Sequence, residues 1–276
     1  MAMTSKWAIV TGGSSGIGLA ISIELARRGY DLMLVARNQE RLDRARERIQ
    51  REQERRVQVI ALDLAREGAC EELVRIAESH GIRPEVLVNN AGIGHHGDFL
   101  GHSSESHQAC IDLNLSATVR LSRAYAELMV MQGSGYLLHV GSVSGFAPLP
   151  GYSVYAATKA FVASFSRALN YELRATGVSS TVLCPGYTET NFFETAGHSI
   201  NGFVRRVLSQ ADDVARQGVD AMLKRKTICV PGLANRLMAF LTRLTPSGVV
   251  TEIAARINSR PRSGTRTAGS RALPAK

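Results

Sequence analysis

A chain of 276 residues, 45% hydrophobic and 21% charged, has the length and balance of one large α/β globular domain with a well-buried core. Its net charge of +9 is unevenly spread: Arg260, Arg262, Arg266, Arg271 and Lys276 supply five of those charges with no acid after residue 259, and Arg37 to Arg56 reads as a solvated helix. With no reading helix and no aromatic platform, nucleic acid is not an expected partner. Cys70, Cys110, Cys184 and Cys229 form no C-x-x-C pair and read as buried thiols of a reducing compartment, and Met1–Lys6 has no secretory pattern, so the cytoplasm is the expected location.

In chain order, Lys6 to Val10 is an apolar strand running into Thr11-Gly12-Gly13-Ser14-Ser15-Gly16-Ile17-Gly18, and a helix from Leu19 to Arg28 ends at Gly29. Strand, glycine turn and helix is the setting in which a backbone approaches a pyrophosphate and a helix N-terminus supplies N–H groups. Gly12, Ser14, Ser15, Gly16, Ile17 and Gly18 are therefore expected cofactor contacts. A second strand, Asp31 to Ala36, ends at Arg37, with Arg41 one helical turn on and no acid at its tip. An acid there would bind a ribose 2′-OH, whereas an Arg accommodates a 2′-phosphate, so NADP(H) is expected in preference to NAD(H).

Val57 to Leu62 reads as the third strand, leading to Asp63-Leu64 and a helix from Ala65 to Ser79 whose N-terminal dipole would suit Asp63. Glu85 to Val88 is the fourth, followed by Asn89-Asn90-Ala91-Gly92. The loop Gly94-His95-His96-Gly97-Asp98, with His102 and His107, has no metal-ligand spacing and reads as solvated loop; no metal is expected. Ser103 to Gln132 is one long helical stretch holding Asn114, a poor helix-interior residue. Gly135 to Val140 is the fifth strand, ending at Gly141-Ser142, where the Ser142 hydroxyl can either cap a turn or bond a substrate oxygen. Leu128 to Thr158 contains no charged residue, yet its glycines and Pro148/Pro150 break it into helix end, strand and loop, so no membrane span is expected.

A helix from Ala156 to Leu173 then places Tyr155 and Lys159 one turn apart on one face. A cation beside a phenol favours the phenolate, which lowers the Tyr pKa toward working pH and suits proton exchange at a carbonyl or carbinol oxygen. Val178 to Cys184 is the sixth strand, followed by Pro185-Gly186-Tyr187-Thr188-Glu189-Thr190. Asn191 to Gln210 is rich in apolar residues such as Phe192, Phe193 and Phe203. Ala211 to Leu223 reads as helix and Lys226 to Val230 as a seventh strand. Residues 232–259 form a helical extension of two amphipathic helices broken at Pro246. They could cover the active-site mouth, extend a subunit interface or touch a membrane surface, with cover or interface favoured. The catalytic unit is expected to run over 1–259, with 260–276 a basic disordered tail.

The T-G-x-x-x-G-x-G loop, N-N-A-G, Asn114, Ser142 and Tyr155-x-x-x-Lys159 together resemble the short-chain dehydrogenase/reductase superfamily over roughly residues 5 to 232. The resemblance implies a single doubly wound, Rossmann-type α/β domain with a largely parallel seven-stranded sheet. It implies a catalytic set of Asn114, Ser142, Tyr155 and Lys159, with Lys159 binding the cofactor ribose and the Asn114 carbonyl holding a relay water. It puts Asp63 and Leu64 at the adenine, Asn90, Ala91 and Gly92 along the cofactor, and Pro185, Gly186, Thr188 and Thr190 around the nicotinamide. Asn89 would steady the sheet, the His95 loop would border the substrate cleft, and residues 191–210 would form a mobile lid. Relatives that use NADPH often carry a base where this chain has Ser15. The implied activity is oxidoreduction of a hydrophobic ketone or secondary alcohol by a homodimer or homotetramer. The rival expectation is a non-catalytic dinucleotide-binding regulator on the same fold.

Overall fold

The computed structural model describes residues 6–189 and 208–258. Thr190, the lid expectation over 191–207 and the tail lie outside the described residues. The strands are β1 (Trp7–Thr11), β2 (Asp31–Ala36), β3 (Val57–Ala61), β4 (Pro84–Asn89), β5 (Gly135–Val140), β6 (Val178–Leu183) and β7 (Ile228–Cys229). They form one parallel sheet in the order β3-β2-β1-β4-β5-β6-β7. Their near-continuous apolar sequences follow from burial on both faces.

The helices are α1 (Gly16–Arg27), α2 (Gln39–Glu52), α3 (Ala69–Ser79), α4 (Ser104–Ile111), α5 (Ala117–Gln132), α6 (Ser153–Glu172), α7 (Ala211–Leu223), α8 (Leu233–Leu244) and α9 (Ser247–Asn258). Because strand side chains alternate, β1 sends Ala8 and Val10 to one face and Trp7 and Ile9 to the other. The first pair packs under α1, α2 and α7, the second under α3 and α5. Each fully buried Leu or Ile in these layers contributes about 1.5–3 kcal/mol.

Several boundaries differ from the sequence expectation. α1 starts at Gly16, directly out of the glycine loop, because Ser15 is already an extended N-cap. α3 starts at Ala69, after a left-handed Gly68 (φ +74°), so Asp63 is not its N-terminal acid. The long helix over 103–132 is interrupted by a π-helical turn, Asp112–Ser116. The seventh strand is only two residues long. Since β1 lies between β2 and β4, the chain reverses its direction of build-up there, and the loops after β1 and β4 border the crevice in which such sheets bind ligands.

Candidate active site

The glycine loop is clipped to both strands beside it. Gly12 N–H donates to Val35 O at 2.7 Å. The Thr11 hydroxyl donates to Val88 O and accepts from Asn90 N and Ala91 N, both at 3.0 Å. The Asn90 amide donates to Thr11 O and Gly12 O at 2.9 and 3.1 Å. Thr11 is thus a positioning residue that motif reading missed, although the motif contains it. A Cβ on Gly18 would stand 2.2 Å from Gly12 O, so only glycine lets α1 enter so close to the loop. The first turn of α1 has neither a side-chain cap nor an acid. Its N–H groups suit a phosphate, with Ser14, Ser15, Gly16 and Ile17 around them.

Arg37 is exposed just past β2 and forms no ion pair among the described residues. Asp63 is exposed, and its carboxylate accepts from Ala65 N at 3.1 Å in a local turn, while Leu64 is buried. Across the crevice Pro185 is buried, its carbonyl accepting from Val143 N at 3.0 Å, and the buried Thr188 donates to Gly186 O at 3.1 Å. A Cβ on Gly186 would lie 2.6 Å from the Asn235 side chain. Asn235 on α8 is therefore a neighbour of this loop that no local pattern announces.

The four expected catalytic residues converge. Asn114 sits in the π-helical turn and is held by its side chain: Oδ1 accepts from Ile93 N, while Nδ2 donates to Ile93 O and to Thr158 Oγ1, each at 2.9 Å. Its carbonyl accepts from Thr118 Oγ1. The Thr158 hydroxyl in turn donates to Tyr155 O at 2.7 Å, so Thr158 links Asn114 to the backbone of the tyrosine, another contact invisible in the sequence. Lys159 is buried and donates to Val140 O at 2.8 Å. A Cβ on Gly92 would stand 3.1 Å from Asn114 Oδ1 and 3.5 Å from Lys159 Nζ, which fixes Gly92 as the wall between them.

Ser142 is extended and caps a short turn, Val143–Phe146, by accepting from Ser144 N. Its side chain also acts on the Tyr155 phenol, favouring the ionised form. The turn-capping reading of Ser142 is the one the structure shows. The Lys159 ammonium lies 5.6 Å from the Tyr155 ring centroid, but its effect differs from the sequence expectation. Burial is the largest influence on the phenol and raises its pKa; Ser142 pulls it down in part. Burial also lowers the Lys159 ammonium to about 8. Two groups desolvated together each lean toward the neutral form, which opposes the phenolate that spacing alone suggests.

On the substrate side Tyr155 and Val154 face His95, Phe99 and His107 across a narrow cleft. Phe99 stacks on His107 with centroids 4.5 Å apart, and His107 Nε2 lies 3.0 Å from Phe99 O. These histidines therefore line the cleft mouth rather than a solvated loop. No group of three or more metal-ligating side chains is placed to hold an ion among the described residues.

A family model described as short chain dehydrogenase matches residues 6–201. The chain is 33% identical over 247 residues to 17-beta-hydroxysteroid dehydrogenase type 3 of Rattus norvegicus, covering 88% of this chain and 78% of that protein. Among solved structures it is similar to a short-chain dehydrogenase from Sphingobium yanoikuyae in complex with NADPH, at TM-score 0.77 and 32% identity over 96% of this chain and 100% of that one. It is also similar to a bulky-bulky ketone specific alcohol dehydrogenase from Comamonas testosteroni, at TM-score 0.73 and 27% identity over 94% and 97% of the two chains. The clipped glycine loop at the sheet's switch point, the Ser142–Tyr155–Lys159 cluster and these likenesses agree: the chain belongs to the short-chain dehydrogenase/reductase family, nicotinamide-dependent oxidoreductases acting on alcohol and ketone groups.

Proposed function

We propose that this enzyme reduces bulky, apolar ketones, of 3-oxoacyl or steroid-like shape, with NADPH. The observation that carries the reading is the Lys159 ammonium 5.6 Å from the centroid of the Tyr155 ring, with Ser142 acting on the same phenol. When bound, the cofactor supplies the hydride that adds to the carbonyl carbon. Ser142 positions the carbonyl oxygen, and Tyr155 donates the proton that oxygen needs. Burial raises the Tyr155 pKa and so favours the protonated phenol, the form that donates in this step. Lys159, anchored on Val140 O, holds the cofactor ribose, and Asn114 and Thr158 hold Tyr155's turn of α6 in place.

The apolar character of the substrate is supported by the exposed Phe99 and Leu100 at the cleft mouth and by the names of the rat and Comamonas testosteroni relatives. The cofactor preference is supported by Arg37 beyond β2, with no acid at the strand tip. The test is turnover, followed by NADPH absorbance over a panel of ketones, 3-oxoacyl thioesters and steroids. Tyr155→Phe removes one oxygen and leaves the fold, and turnover is expected to fall by roughly 10²–10⁴-fold. A variant within twofold of wild type would show that another group supplies the proton.

A further inference from the structure

The positive charge of this chain lies at one end. Residues 1–223 carry 22 Lys and Arg against 23 Asp and Glu, whereas residues 224–276 carry eleven against one, Glu252. The same stretch presents apolar side chains to solvent. On α8, Leu233, Leu237, Phe240, Leu241 and Leu244 recur at spacings of three and four and form one stripe. They are 49–80% exposed. On α9, Val249 and Ile253 stand one turn apart and half exposed.

This stripe is not an unfinished core contact, because α8 is already fastened by its other side. Ala239 is buried, Asn235 Nδ2 donates to Pro231 O at 2.8 Å, and Arg236 Nε donates to Val230 O at 2.8 Å. At 100° per residue, Arg236 and Arg243 project along one edge of the stripe. No acid lies between Pro231 and Thr251, and the residues after α9 add five more positive charges.

We infer that α8 and α9 form a docking surface for an anionic phospholipid bilayer. An apolar stripe edged by arginine lies in the plane of the interface, its Leu and Phe in the acyl boundary and its cations among the phosphates. Basic residues beside it add attraction to anionic lipid. The helices lie on the bilayer and do not cross it: α8 and α9 have twelve residues each, and no described helix is long and apolar enough to span. A second copy of the chain docking here would set one basic stretch against another. A nucleic acid would use the charges and leave the stripe in water. An anionic lipid surface satisfies both features.

The experiment is flotation of the full chain with phosphatidylcholine vesicles, alone and mixed with phosphatidylglycerol. The chain is expected on the mixed vesicles roughly tenfold more than on the neutral ones, with binding weakened by high salt. The double variant Leu237→Ser/Phe240→Ser changes two exposed side chains, so its melting temperature should match wild type while vesicle binding falls roughly tenfold or more. Equal partition onto the two vesicle types would overturn the proposal, as would undiminished binding by the variant. So would a dimer in light scattering that the variant breaks while vesicles bind neither form, or capture by DNA, unaltered in the variant, without vesicle binding.

Discussion

In the proposed function Arg37 carries the cofactor preference, and it forms no ion pair among the described residues. Gly12 N–H bonds Val35 O, so the loop that receives the pyrophosphate is tied to the strand that ends one residue before Arg37. On the proposed reading the adenosine 2′ group lies near this guanidinium. Charge-assisted hydrogen bonds contribute on the order of 1.5–3 kcal/mol, and about 1.4 kcal/mol is tenfold in preference. Ser15 adds no charge, so a wild-type preference for NADPH over NADH of roughly tenfold is expected in kcat/KM. Arg37→Asp should abolish or reverse it. An unchanged ratio in that variant would place the 2′ group elsewhere. Thr11 and Thr158 show the same lesson at their own sites: one hydroxyl each, holding a loop and a helix turn that other residues use.

Between elements, the Ser142 turn packs directly on the backbone of α6. A Cβ on Gly145 would stand 2.6 Å from the Lys159 carbonyl carbon and 2.7 Å from Ala160 N, both backbone atoms that cannot rotate aside. Gly145→Ala must therefore push the turn carrying Ser142 away from the helix carrying Tyr155. Overpacking of this kind costs about 1–3 kcal/mol, and the displaced Ser142 should lower kcat more than it raises KM. Gly101→Ala is the control, since a Cβ there meets nothing within 4 Å. A melting temperature for Gly145→Ala equal to that of the control would show that the turn can yield at no cost.

The whole molecule carries a buried base in the middle of its sheet. His139 on β5 is fully buried, its Nδ1 within 3.2 Å of the Asn89 amide, and burial pushes its pKa down from 6.5 to about 4. The unfolded chain binds this proton below about 6.5 and the folded one does not until about 4, so stability falls with pH across that window. The stabilisation is complete above pH 6.5, and its full loss amounts to about 3 kcal/mol at 1.36 kcal/mol per unit. His139→Leu should flatten the decline in denaturant midpoint between pH 7 and pH 5, even if it lowers stability at pH 7 by freeing Asn89. Parallel pH profiles for variant and wild type would place the acid sensitivity in other groups.

Sequence by itself determined what rests on neighbours along the chain. Apolar strands separated by helical stretches, the glycine spacing after β1, and Tyr155 and Lys159 four apart are local geometry, and the parallel seven-stranded sheet that the family resemblance implied is the one observed. Tertiary structure alone decided what depends on distant atoms. The π-helical turn exists because Asn114 bonds Ile93 and Thr158, 21 and 44 residues away. Asn235 reaches Gly186 from another element altogether. The sign of the Tyr155 shift could not be read from a cation one turn away, because desolvation sums over every surrounding group and is here the largest influence. The basic C-terminal stretch was legible as letters, but whether the stripe of α8 faced a core or the solvent was settled only by which side Asn235 and Ala239 hold down.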